Sequence, residues 1–552
     1  MPLLDSTLIT PLLILAATAV WAHKLFRAHQ FRQFALQHGC EPPPHSASQL
    51  PWGLDLTWRM VRLTNADADI METIFQPGFA RFGWTFSSTG LLGERVVLTA
   101  DPANTRAILS TQFNDFLAGA DRIDNVGFVV GRCIFTVDGP FWERSRALFR
   151  PHFARAEIND LEATERAVQD LFMAVDASRQ LEGEGGDDAV WTPAIDLQKL
   201  FLRFTLDTGT GFFFGANVKS QLAAIPGDKG VLDETTRLAA DSAGDDGLTF
   251  SEAYSVAFKE IARRARLSSL SWLADLFPGD APRAVRYLER FIDRLVDDAQ
   301  LQNMLDTITA PAETGKAETK KPSFLQALVQ TTPDRIEVRD QAHFMLAASR
   351  DTTASLLSWL FLLLAKHPAQ LARLRAAITA DFGTATDSTA GTITAQALKK
   401  CAYLQWAMAE TLRLHPPGAL NGRIAAHDTT LPTGGGRDGT RPIAIRKGQT
   451  VTIVPYTMHR RRDLFGEDAA EFRPERWEGK KVDWGYVPFS GGPRACLGKE
   501  YALAEAGYLT VRLLQRFDRV EPVDDLIDMP QKVTVTLQPS KGVNVRLRRA
   551  VV

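Results

Sequence analysis

Residues 489–498 read Phe-Ser-Gly-Gly-Pro-Arg-Ala-Cys-Leu-Gly and fit the spaced pattern Phe-x-x-Gly-x-Arg-x-Cys-x-Gly without a mismatch. Glycines on both sides of Cys496 allow backbone N–H groups to approach its sulfur. Apolar residues at helical spacing predict a helix over residues 497–517, with its positive end at the cysteine. This setting is expected to lower the pKa of the thiol, which predicts a thiolate that binds a metal. The alternative is an inert buried cysteine in a glycine-rich turn.

The segment 340–366 is apolar on nearly every side. As a helix it would be about 40 Å long, enough to cross the whole molecule. Arg350 and Asp351 interrupt the apolar run, so a buried central helix is favoured over a second membrane span. A buried aspartate is costly without a partner or a function, which singles out Asp351. Ordinary solvated polar residues are the alternative.

In this combination the chain resembles the cytochromes P450, which are haem-thiolate monooxygenases. Residues 489–498 are similar to the family's haem-binding signature, and residues 348–353, Ala-Ser-Arg-Asp-Thr-Thr, are similar to its oxygen-activation motif. Two further landmarks of the family stand in the expected order, Trp-x-x-x-Arg at residues 142–146 and Glu-x-x-Arg at residues 410–413. The landmarks and their flanks cover most of residues 80–550.

The resemblance implies a mainly α fold with small antiparallel β-sheets, built as a single large haem domain. Its cofactor would be haem b, with Cys496 as the axial ligand of the iron. Arg494 supplies a cation that can bind a propionate through two parallel hydrogen bonds. The residues implied to hold the haem are Trp142, Arg146, Arg423, Phe489, Arg494 and Cys496.

The same resemblance gives Asp351 and Thr352 the catalytic role of relaying protons to dioxygen. The sequence departs from the family at Ser349, where glycine is usual, and this puts the shape of the oxygen groove in question. Glu410 and Arg413 lie three apart on one helix face. With Arg476 they would form a buried ionic cluster that holds the haem loop, a structural role and not a catalytic one.

Few segments of the chain have the pattern of strands. Residues 85–87 and 96–99 flank a glycine-containing turn, residues 443–445 and 451–454 flank Lys447 and Gly448, and alternating apolar residues at 533–537 and 543–547 predict a terminal hairpin.

Gly434, Gly436 and Gly439 satisfy the pattern Gly-x-Gly-x-x-Gly. No βαβ unit surrounds them, so we predict a turn between short strands and not a dinucleotide site. Electrons must then come from another protein. The resemblance implies NADPH-cytochrome P450 reductase, with cytochrome b5 as a second donor, docking on the cysteine side, where Arg494 and Lys499 contribute positive charge.

Residues 8–22 carry no charge, and basic residues follow them from His23 onward. This run is short against the roughly 20 residues of a bilayer span, and the basic residues favour a cytosolic location for the rest of the chain. A cleaved signal peptide is the alternative. We predict a transmembrane anchor at 1–27, a proline-containing linker at 28–50 and a haem domain at 51–552, held by a single pass in the endoplasmic reticulum membrane.

The composition excludes one large class of function. The 552 residues carry 63 Lys and Arg against 65 Asp and Glu, a net charge of −2, which does not favour binding of nucleic acid through phosphate neutralisation. Four dispersed cysteines argue against a disulfide scaffold and favour a reducing compartment. Low-complexity runs at 182–188 and 307–322 predict surface loops.

Residues 133–139, 430–439 and 472–477 resemble the fungal, membrane-bound branch of the family that hydroxylates n-alkanes and fatty acids. We therefore predict insertion of one atom of O2 into a long-chain alkane, a fatty acid or a similar lipophilic chain. Oxidation of a polyketide or terpenoid intermediate is the first alternative. An isomerase or dehydratase that needs no reductase, or a haem binder without turnover, would leave the Asp351–Thr352 pair unexplained. The candidate pocket residues are Phe128, Val130, Phe344, Ala348, Ala419, Leu420 and Leu537.

Overall fold

Helices dominate the secondary structure of the computed structural model, which describes residues 6–153, 161–181, 190–215, 217–223, 225, 250–309, 323–384, 393–523 and 529–550. The α-helices are α1 Ser6–Gln37, α2 Leu54–Asn65, α3 Gln76–Phe82, α4 Pro102–Arg106, α5 Ala120–Val130, α6 Gly139–Phe149, α7 Glu162–Leu181, α8 Leu197–Phe214, α9 Ser220–Ala223, α10 Phe250–Leu267, α11 Ala281–Thr309, α12 Phe324–Thr331, α13 Arg335–Lys366, α14 Pro368–Phe382, α15 Ala395–Lys400, α16 Ala402–Leu414, α17 Pro455–Met458, α18 Arg462–Phe465 and α19 Lys499–Arg516. The predicted loop at 182–188 lies outside the described residues, as do residues 310–322 of the second predicted loop. Residues 307–309 end α11.

The long helix α13 is the predicted central helix, and it begins earlier than its apolar pattern suggested. The side chain of Asp334 accepts hydrogen bonds from the backbone N–H groups of Ile336 and Glu337, at 2.9 and 3.4 Å, and so caps the helix before Arg335. Its last residue is Lys366; His367 follows as the cap residue, and Pro368 starts α14. Most residues of α13 are buried, which confirms a helix through the interior.

Small sheets complete the fold. The strands are β1 His45–Ser46, β2 Thr85–Thr89, β3 Arg95–Thr99, β4 Phe116–Leu117, β5 Ile195–Asp196, β6 Asn421–Ala425, β7 Thr429–Gly435, β8 Arg441–Ile445, β9 Thr450–Ile453, β10 Phe517–Pro522, β11 Gln531–Val533, β12 Leu537–Pro539 and β13 Asn544–Arg549. One sheet has the order β1-β2-β3-β9-β6-β4, a second has the order β10-β13-β5, and β11-β12 and β7-β8 form two-stranded ladders. Most pairs are antiparallel, while β1-β2 and β3-β9 are parallel. The predicted fold class is confirmed.

The predicted terminal hairpin is wrong, while the other predicted strands are present with partners that differ from case to case. The pairing of β2 with β3 is confirmed, with Thr85 opposite Thr99. However, β13 pairs with β10 and β5 and not with the strand before it, which folds back within itself as β11-β12. Similarly, β8 pairs with β7, whereas β9 pairs with β3 and β6. Apolar alternation predicts where a strand lies, but its partner depends on long-range packing.

The glycine motif forms a turn between strands, as predicted. Gly434, Gly436 and Gly439 all have positive φ, and they lie at the end of β7 and in the connection to β8. A side chain at Gly434 would reach within 2.6 Å of the side chain of Thr85 on β2, so the close approach of two sheets requires glycine there.

Two hydrophobic cores meet along α13. Residues 354–365 of α13 pack into one core with α14, α16 and α19, while residues 338–347 pack into a second core with α5, α10, α11 and α12. The polar run Arg350, Asp351 and Thr352 lies between the two cores. The fold therefore places the predicted oxygen-activation residues at a junction in the middle of the molecule.

The helix α1 begins at Ser6 and has exposed apolar side chains that include Leu15, Trp21 and Phe26. In the part of the chain that the structure describes, no helix combines the length and the apolar character that crossing a membrane requires.

Candidate active site

The cysteine loop folds tightly over the segment before β4. Ser490 and Gly492 have positive φ values of 60° and 64°, and the backbone N–H of Cys496 donates to the carbonyl of Phe489 at 3.0 Å. A Cβ atom on Gly492 would overlap the carbonyl oxygen of Leu109. Gly492, the first glycine of the spaced pattern, is therefore required both by backbone conformation and by space.

Cys496 is exposed, while the other three cysteines, all in the described part of the chain, are buried or half-buried. The helix α19 begins at Lys499, so its N-terminus lies at the cysteine as predicted. The backbone N–H groups of Gly498 and Lys499 and the charge of Arg146 all act to lower the pKa of the thiol. Surrounding protein atoms outweigh them, and the pKa is raised, contrary to our prediction. Binding of a metal cation supplies the missing stabilisation of a thiolate.

Three of the predicted cofactor-binding residues pack together beside the loop. The guanidinium of Arg494 lies 4.4 Å from the ring centre of Trp142 and donates from Nη2 to Asp138 Oδ1 at 2.5 Å. Arg146 lies 5.9 Å from the same ring and donates to the carbonyl of Ala495 at 3.1 Å. Phe489, another predicted cofactor-binding residue, lies at the start of the loop, and the ammonium of Lys499 is 5.9 Å from its ring centre.

Arg423 and a residue that the sequence did not reveal, Arg122, extend this cluster. Arg423 is buried on β6, and burial together with the charges of Arg122 and Arg494 lowers its pKa to about 9. Arg122 is half-buried, donates to the carbonyl of Gly422 at 2.8 Å, and has its pKa lowered to about 10 by burial and by Arg494. Nothing in the local sequence around Arg122 marks it, because only the fold brings α5 to β6.

We name the group of Arg122, Arg146, Arg423 and Arg494 the arginine cluster. Asp138 is the carboxylate that opposes its charges in their pKa shifts. Burying a surplus of positive charge is costly unless an anion compensates it. The donors of this cluster therefore suit a ligand with carboxylates of its own.

Asp351 and Thr352 lie side by side on α13 in different surroundings. Asp351 is 3% exposed, and its Oδ1 accepts from Arg350 Nη1 at 2.7 Å. Burial raises the pKa of this carboxyl in spite of the neighbouring charge of Arg350. Thr352 is exposed and donates from its hydroxyl to the carbonyl of Ala348 at 2.7 Å. The hydroxyl therefore faces open space while the acid lies inside the protein.

Ser349 faces away from this open space. Its hydroxyl donates to the carbonyl of Leu346 at 3.1 Å, and a Cβ atom on Gly209 of α8 would lie 2.7 Å from its Oγ. The glycine of α8 leaves the room that the serine occupies. The departure from the family pattern is thus accommodated at a helix contact.

From residue 340 to residue 365, α13 is buried except at Phe344, Ala348 and Thr352. These positions are four apart and share one helix face. Phe344 stacks on Phe135 with ring centres 5.2 Å apart, and the guanidinium of Arg122 lies 4.7 Å from the centre of Phe135. We name this face the open stripe of α13; at Phe344 it contacts Phe135, which connects it to Arg122 of the arginine cluster.

The predicted pocket residues divide into two groups. Phe128, Phe344, Ala348 and Leu420 are half-buried and can line a cavity. Val130, Ala419 and Leu537 are fully buried and belong to the core. Their apolar character predicted burial but did not distinguish a pocket wall from core packing.

The ionic cluster fits the predicted structural role. Glu410 and Arg413 are 0% exposed, and Arg413 donates from Nε and Nη2 to the two carboxylate oxygens of Glu410 at 2.8 and 2.9 Å. Arg476 Nε donates to Glu410 Oε1 at 2.7 Å. Arg413 also donates to the carbonyl of His459 at 2.9 Å, and His459 Nε2 accepts from the backbone N–H of Val487 at 3.0 Å. The cluster therefore reaches the segment that leads into the cysteine loop.

Glu505 is a second residue that the sequence did not reveal. It lies on α19, is 1% exposed, and accepts a hydrogen bond from the hydroxyl of Thr208 on α8. Burial raises its pKa to about 8. The sequence signal that could have indicated Glu505 is an acidic residue next to the apolar positions of the helix predicted at 497–517.

The model of the family described as Cytochrome P450 matches residues 51–546 of this chain. The chain belongs to the cytochrome P450 family. Among similar curated proteins is cytochrome P450 monooxygenase g430 of a Fusarium species, which is 37% identical. The alignment spans 92% of this P450 and 84% of that relative. Cytochrome P450 52A13 of Debaryomyces hansenii is 36% identical over 95% of this P450 and 94% of its own length. These relatives bear out the likeness to the fungal branch.

The fold has a similar relative among solved structures. The haem domain of cytochrome P450DA superposes with a TM-score of 0.69 at 19% identity, over 93% of this P450 and 98% of that chain. Family and fold together make this P450 a haem-thiolate monooxygenase. Its own residues fit the haem that the family carries: Cys496 is an accessible thiol for the iron, and the arginine cluster has the charge that two propionates would neutralise.

Proposed function

We propose that this P450 hydroxylates a long, lipophilic chain, such as an alkane or a fatty acid, at a position brought close to Cys496. The open stripe of α13 carries this proposal. Phe344 and Ala348 offer an apolar wall that ends at the hydroxyl of Thr352, in a stretch of α13, residues 340–365, that is otherwise buried. An extended apolar chain lying along this stripe would bury its surface and leave one carbon next to the reacting centre.

Haem, when bound, supplies the activation of dioxygen, and the thiolate ligand favours cleavage of the O–O bond. The chain's own residues would exclude water, orient the substrate and deliver protons. Thr352 would hold a proton at its hydroxyl on the open face, and Asp351 would replace that proton from within the protein. Cys496 would hold the iron, while Trp142, Phe489 and the arginine cluster would fix the plane and the propionates of the cofactor.

A membrane location suits a lipophilic substrate, and exposed aromatic side chains on and near α2 and α10 could contact the membrane. Exposed side chains include Trp52 before α2, Trp58 on α2, and Trp272 and Phe277 after α10. Arg266 donates to the hydroxyl of Thr64 at 3.3 Å and so joins the end of α10 to α2. We name these four aromatic residues the aromatic patch. Amphipathic aromatic rings of this kind favour a membrane interface.

Electron supply would come from a membrane-bound NADPH-cytochrome P450 reductase, with cytochrome b5 as a second donor. Lys499 is exposed beside the cysteine loop and is available for docking. Arg494 is not available, since its side chain is 9% exposed and bonded to Asp138. We therefore assign Arg494 to the arginine cluster and not to the docking surface.

A ring-shaped biosynthetic intermediate is the second candidate substrate. The stacked rings of Phe135 and Phe344 favour it, because a flat polycyclic molecule can extend such a stack. The two substrate classes make different demands on Phe344. Replacement by leucine keeps an apolar wall for a chain but removes the stacking face.

The test uses purified holoenzyme with reductase, NADPH and O2. A series of alkanes, fatty acids and polycyclic metabolites is screened for a substrate-induced shift of the haem spectrum, and bound compounds are then assayed for hydroxylated product. Chain substrates that bind and react, with Phe344→Leu leaving their turnover within about twofold, support the proposal. Turnover of polycyclic compounds alone, lost in Phe344→Leu, would favour the second candidate. Product formation without NADPH or O2 would exclude both.

A further inference from the structure

Asp351 belongs to a group of four buried polar side chains on α10 and α13. They are Arg350 and Asp351, each 3% exposed, His343, 2% exposed, and Tyr254, 0% exposed. We name this group the polar seam. It lies on the side of α13 that the open stripe does not occupy, and none of the roles described so far uses Tyr254 or His343.

The members of the polar seam contact one another in a spatial series that begins at Asp351. Arg350 holds Asp351 Oδ1 at 2.7 Å, and its guanidinium carbon lies 5.1 Å from the ring centre of Tyr254. The ring of Tyr254 meets the ring of His343 edge-on, with centres 5.8 Å apart. Arg339 lies one helical turn before His343 on α13. The side chain of Arg339 is 24% exposed and lies 3.4 Å from Glu289.

The buried polar atoms of the polar seam that have no hydrogen-bond partner in the described structure include Asp351 Oδ2, the hydroxyl of Tyr254 and Nε2 of His343. Buried polar atoms are nearly always satisfied by protein or by ordered water. A group of unsatisfied polar atoms in one place is where buried water binds, commonly with about three hydrogen bonds each.

Burial, aided by one neighbouring charge, keeps the imidazole of His343 neutral. Burial and the charge of Arg339 lower its pKa to about 3. A neutral imidazole has one N–H donor and one acceptor nitrogen, and a tyrosine hydroxyl also both donates and accepts. The imidazole can therefore accept a proton at one nitrogen while giving one up at the other, and the tyrosine hydroxyl can do both at its single oxygen.

We propose that the polar seam is the proton supply of Asp351: water held between His343, Tyr254 and Asp351 Oδ2 connects the carboxylate to solvent at Arg339. Arg350 is a positioning residue that binds Oδ1 and leaves Oδ2 free to face the water. In each delivery one proton leaves bulk water and one arrives at Asp351. His343, Tyr254 and the waters each give one proton and receive one, so their protonation is unchanged. This inference rests on the proposed role of Asp351 and Thr352.

A competing route would enter from the opposite side of α13. Glu505 on α19 is also a buried carboxyl, and its Oε2 has no hydrogen-bond partner in the described structure. Protons arriving through Glu505 would make the polar seam a merely structural feature. The two routes use different helices, so single substitutions separate them.

The test measures how NADPH consumption divides between hydroxylated product and hydrogen peroxide in the holoenzyme. The variants are Tyr254→Phe, His343→Ala and Arg350→Met, with Arg350→Lys as the conservative replacement, Glu505→Gln for the competing route and Tyr287→Phe as a control for loss of a buried tyrosine hydroxyl on α11. Product per NADPH is expected to fall up to about tenfold in Tyr254→Phe and His343→Ala, with peroxide rising in proportion. Arg350→Lys is expected to recover part of the loss seen in Arg350→Met.

Two further readouts separate proton supply from folding. Product formation driven by added hydrogen peroxide, which brings its own protons, is expected to stay near the unsubstituted level in Tyr254→Phe. A high-resolution crystal structure is expected to show ordered water within hydrogen-bonding distance of Asp351 Oδ2 and the Tyr254 hydroxyl. A dry seam, or an equal loss of NADPH-driven and peroxide-driven product, would overturn the proposal.

Asp351→Asn distinguishes failure of this inference from failure of the proposed function. If Asp351→Asn diverts electrons to peroxide while Tyr254→Phe and His343→Ala remain fully coupled, the seam is not the route, and an effect of Glu505→Gln alone would assign the route to α19. If Asp351→Asn itself remains fully coupled, the role proposed for Asp351 fails, and the supply route to it fails as well.

Discussion

At the scale of single residues, burial controls which groups of the site carry charge. Desolvation raises the pKa of Cys496, Asp351 and Glu505, in each case against hydrogen bonds or cations that act in the other direction. A bound metal cation would stabilise the thiolate form of Cys496, and the charge of Arg350 opposes the upward shift of the pKa of Asp351. Glu505 has no cation among the causes of its shift, so we expect it to be protonated at neutral pH.

The protonation of Glu505 predicts how stability changes with pH. Its pKa is about 8 in the folded protein and near 4.5 when exposed, so between these values the folded state holds a proton that the unfolded state has lost. The free energy of unfolding therefore falls as the pH rises through this window. At about 1.4 kcal/mol per pKa unit, Glu505→Gln should remove roughly 2 to 4 kcal/mol of that fall between pH 5 and pH 8. Urea unfolding of the holoenzyme measures it.

Glu500→Gln is the matched control, because Glu500 lies on the same helix and its side chain is 47% exposed. This variant should keep the pH dependence of the unsubstituted protein. Equal pH dependence in Glu505→Gln and the unsubstituted protein would show that Glu505 is ionised when folded.

Single residues also show where the sequence was informative. Cys496, Arg494, Trp142 and Arg146 stand in spaced patterns, and the structure brings them together. Arg122 has no such pattern, since its position at the start of α5 resembles that of any surface arginine. It becomes part of the site only because β6 carries Arg423 and the carbonyl of Gly422 to it.

At the scale of elements, the cysteine loop depends on one glycine. Gly492→Ala would place a Cβ atom on the carbonyl of Leu109, a backbone atom that cannot rotate away. We expect the loop to shift and haem content to fall at least about tenfold, since positions in a binding site tolerate little displacement. Haem per protein, measured from the absorption spectrum after purification, tests this.

Gly439→Ala is the control for the cost of positive φ alone. Gly439 has a φ of 71°, close to the 64° of Gly492, but open space around its Cα. Haem content should be nearly unchanged in this variant. Similar haem loss in both variants would mean that backbone conformation, and not the contact with Leu109, is the cause.

The contact between α8 and α13 gives a second prediction at this scale. Gly209→Ala should destabilise the protein by about 1 to 3 kcal/mol, because the added methyl group meets the hydroxyl of Ser349. Ser349→Gly should remove the clash, so the double variant should recover much of the loss. Thermal unfolding of the four proteins forms a double-mutant cycle. Additive effects would show that Ser349 does not face Gly209.

Elements were predicted better than their partners. The apolar pattern located α13 and most of the strands near both termini, because periodicity is a local property. The pairing of β13 with β10 and of β9 with β3 joins segments that are distant in sequence, and local pattern carries no information about such pairs. The start of α13 was missed for a related reason, since its cap at Asp334 precedes the apolar run.

At the scale of the whole molecule, the second core extends from α10 to the neighbourhood of the cysteine loop. It contains buried residues of α10 and α13 together with Trp142, and Leu497, next to Cys496, packs against it. The second core therefore joins the helix beside the aromatic patch to residues beside the cysteine.

Membrane association through the aromatic patch is directly testable. Replacement of Trp52, Trp58, Trp272 and Phe277 by serine should reduce the fraction of holoenzyme that co-sediments with phosphatidylcholine vesicles severalfold, because each ring removes apolar surface from water on binding. Val482→Ser is the control, since Val482 is 60% exposed but lies close in sequence to the cysteine loop. Undiminished sedimentation of the fourfold variant would exclude the aromatic patch as a membrane contact.

Ligation of haem iron by Cys496 underlies every other role proposed for the site, and the reduced carbon monoxide spectrum is its sharpest test. Cys496→Ser should keep its fold, measured by circular dichroism, but lose the absorption band that belongs to a thiolate-ligated haem. Cys40→Ser, at a half-buried cysteine outside the site, should keep the band. An unchanged thiolate band in Cys496→Ser would contradict the assignment of the ligand, and with it the site built around this cysteine.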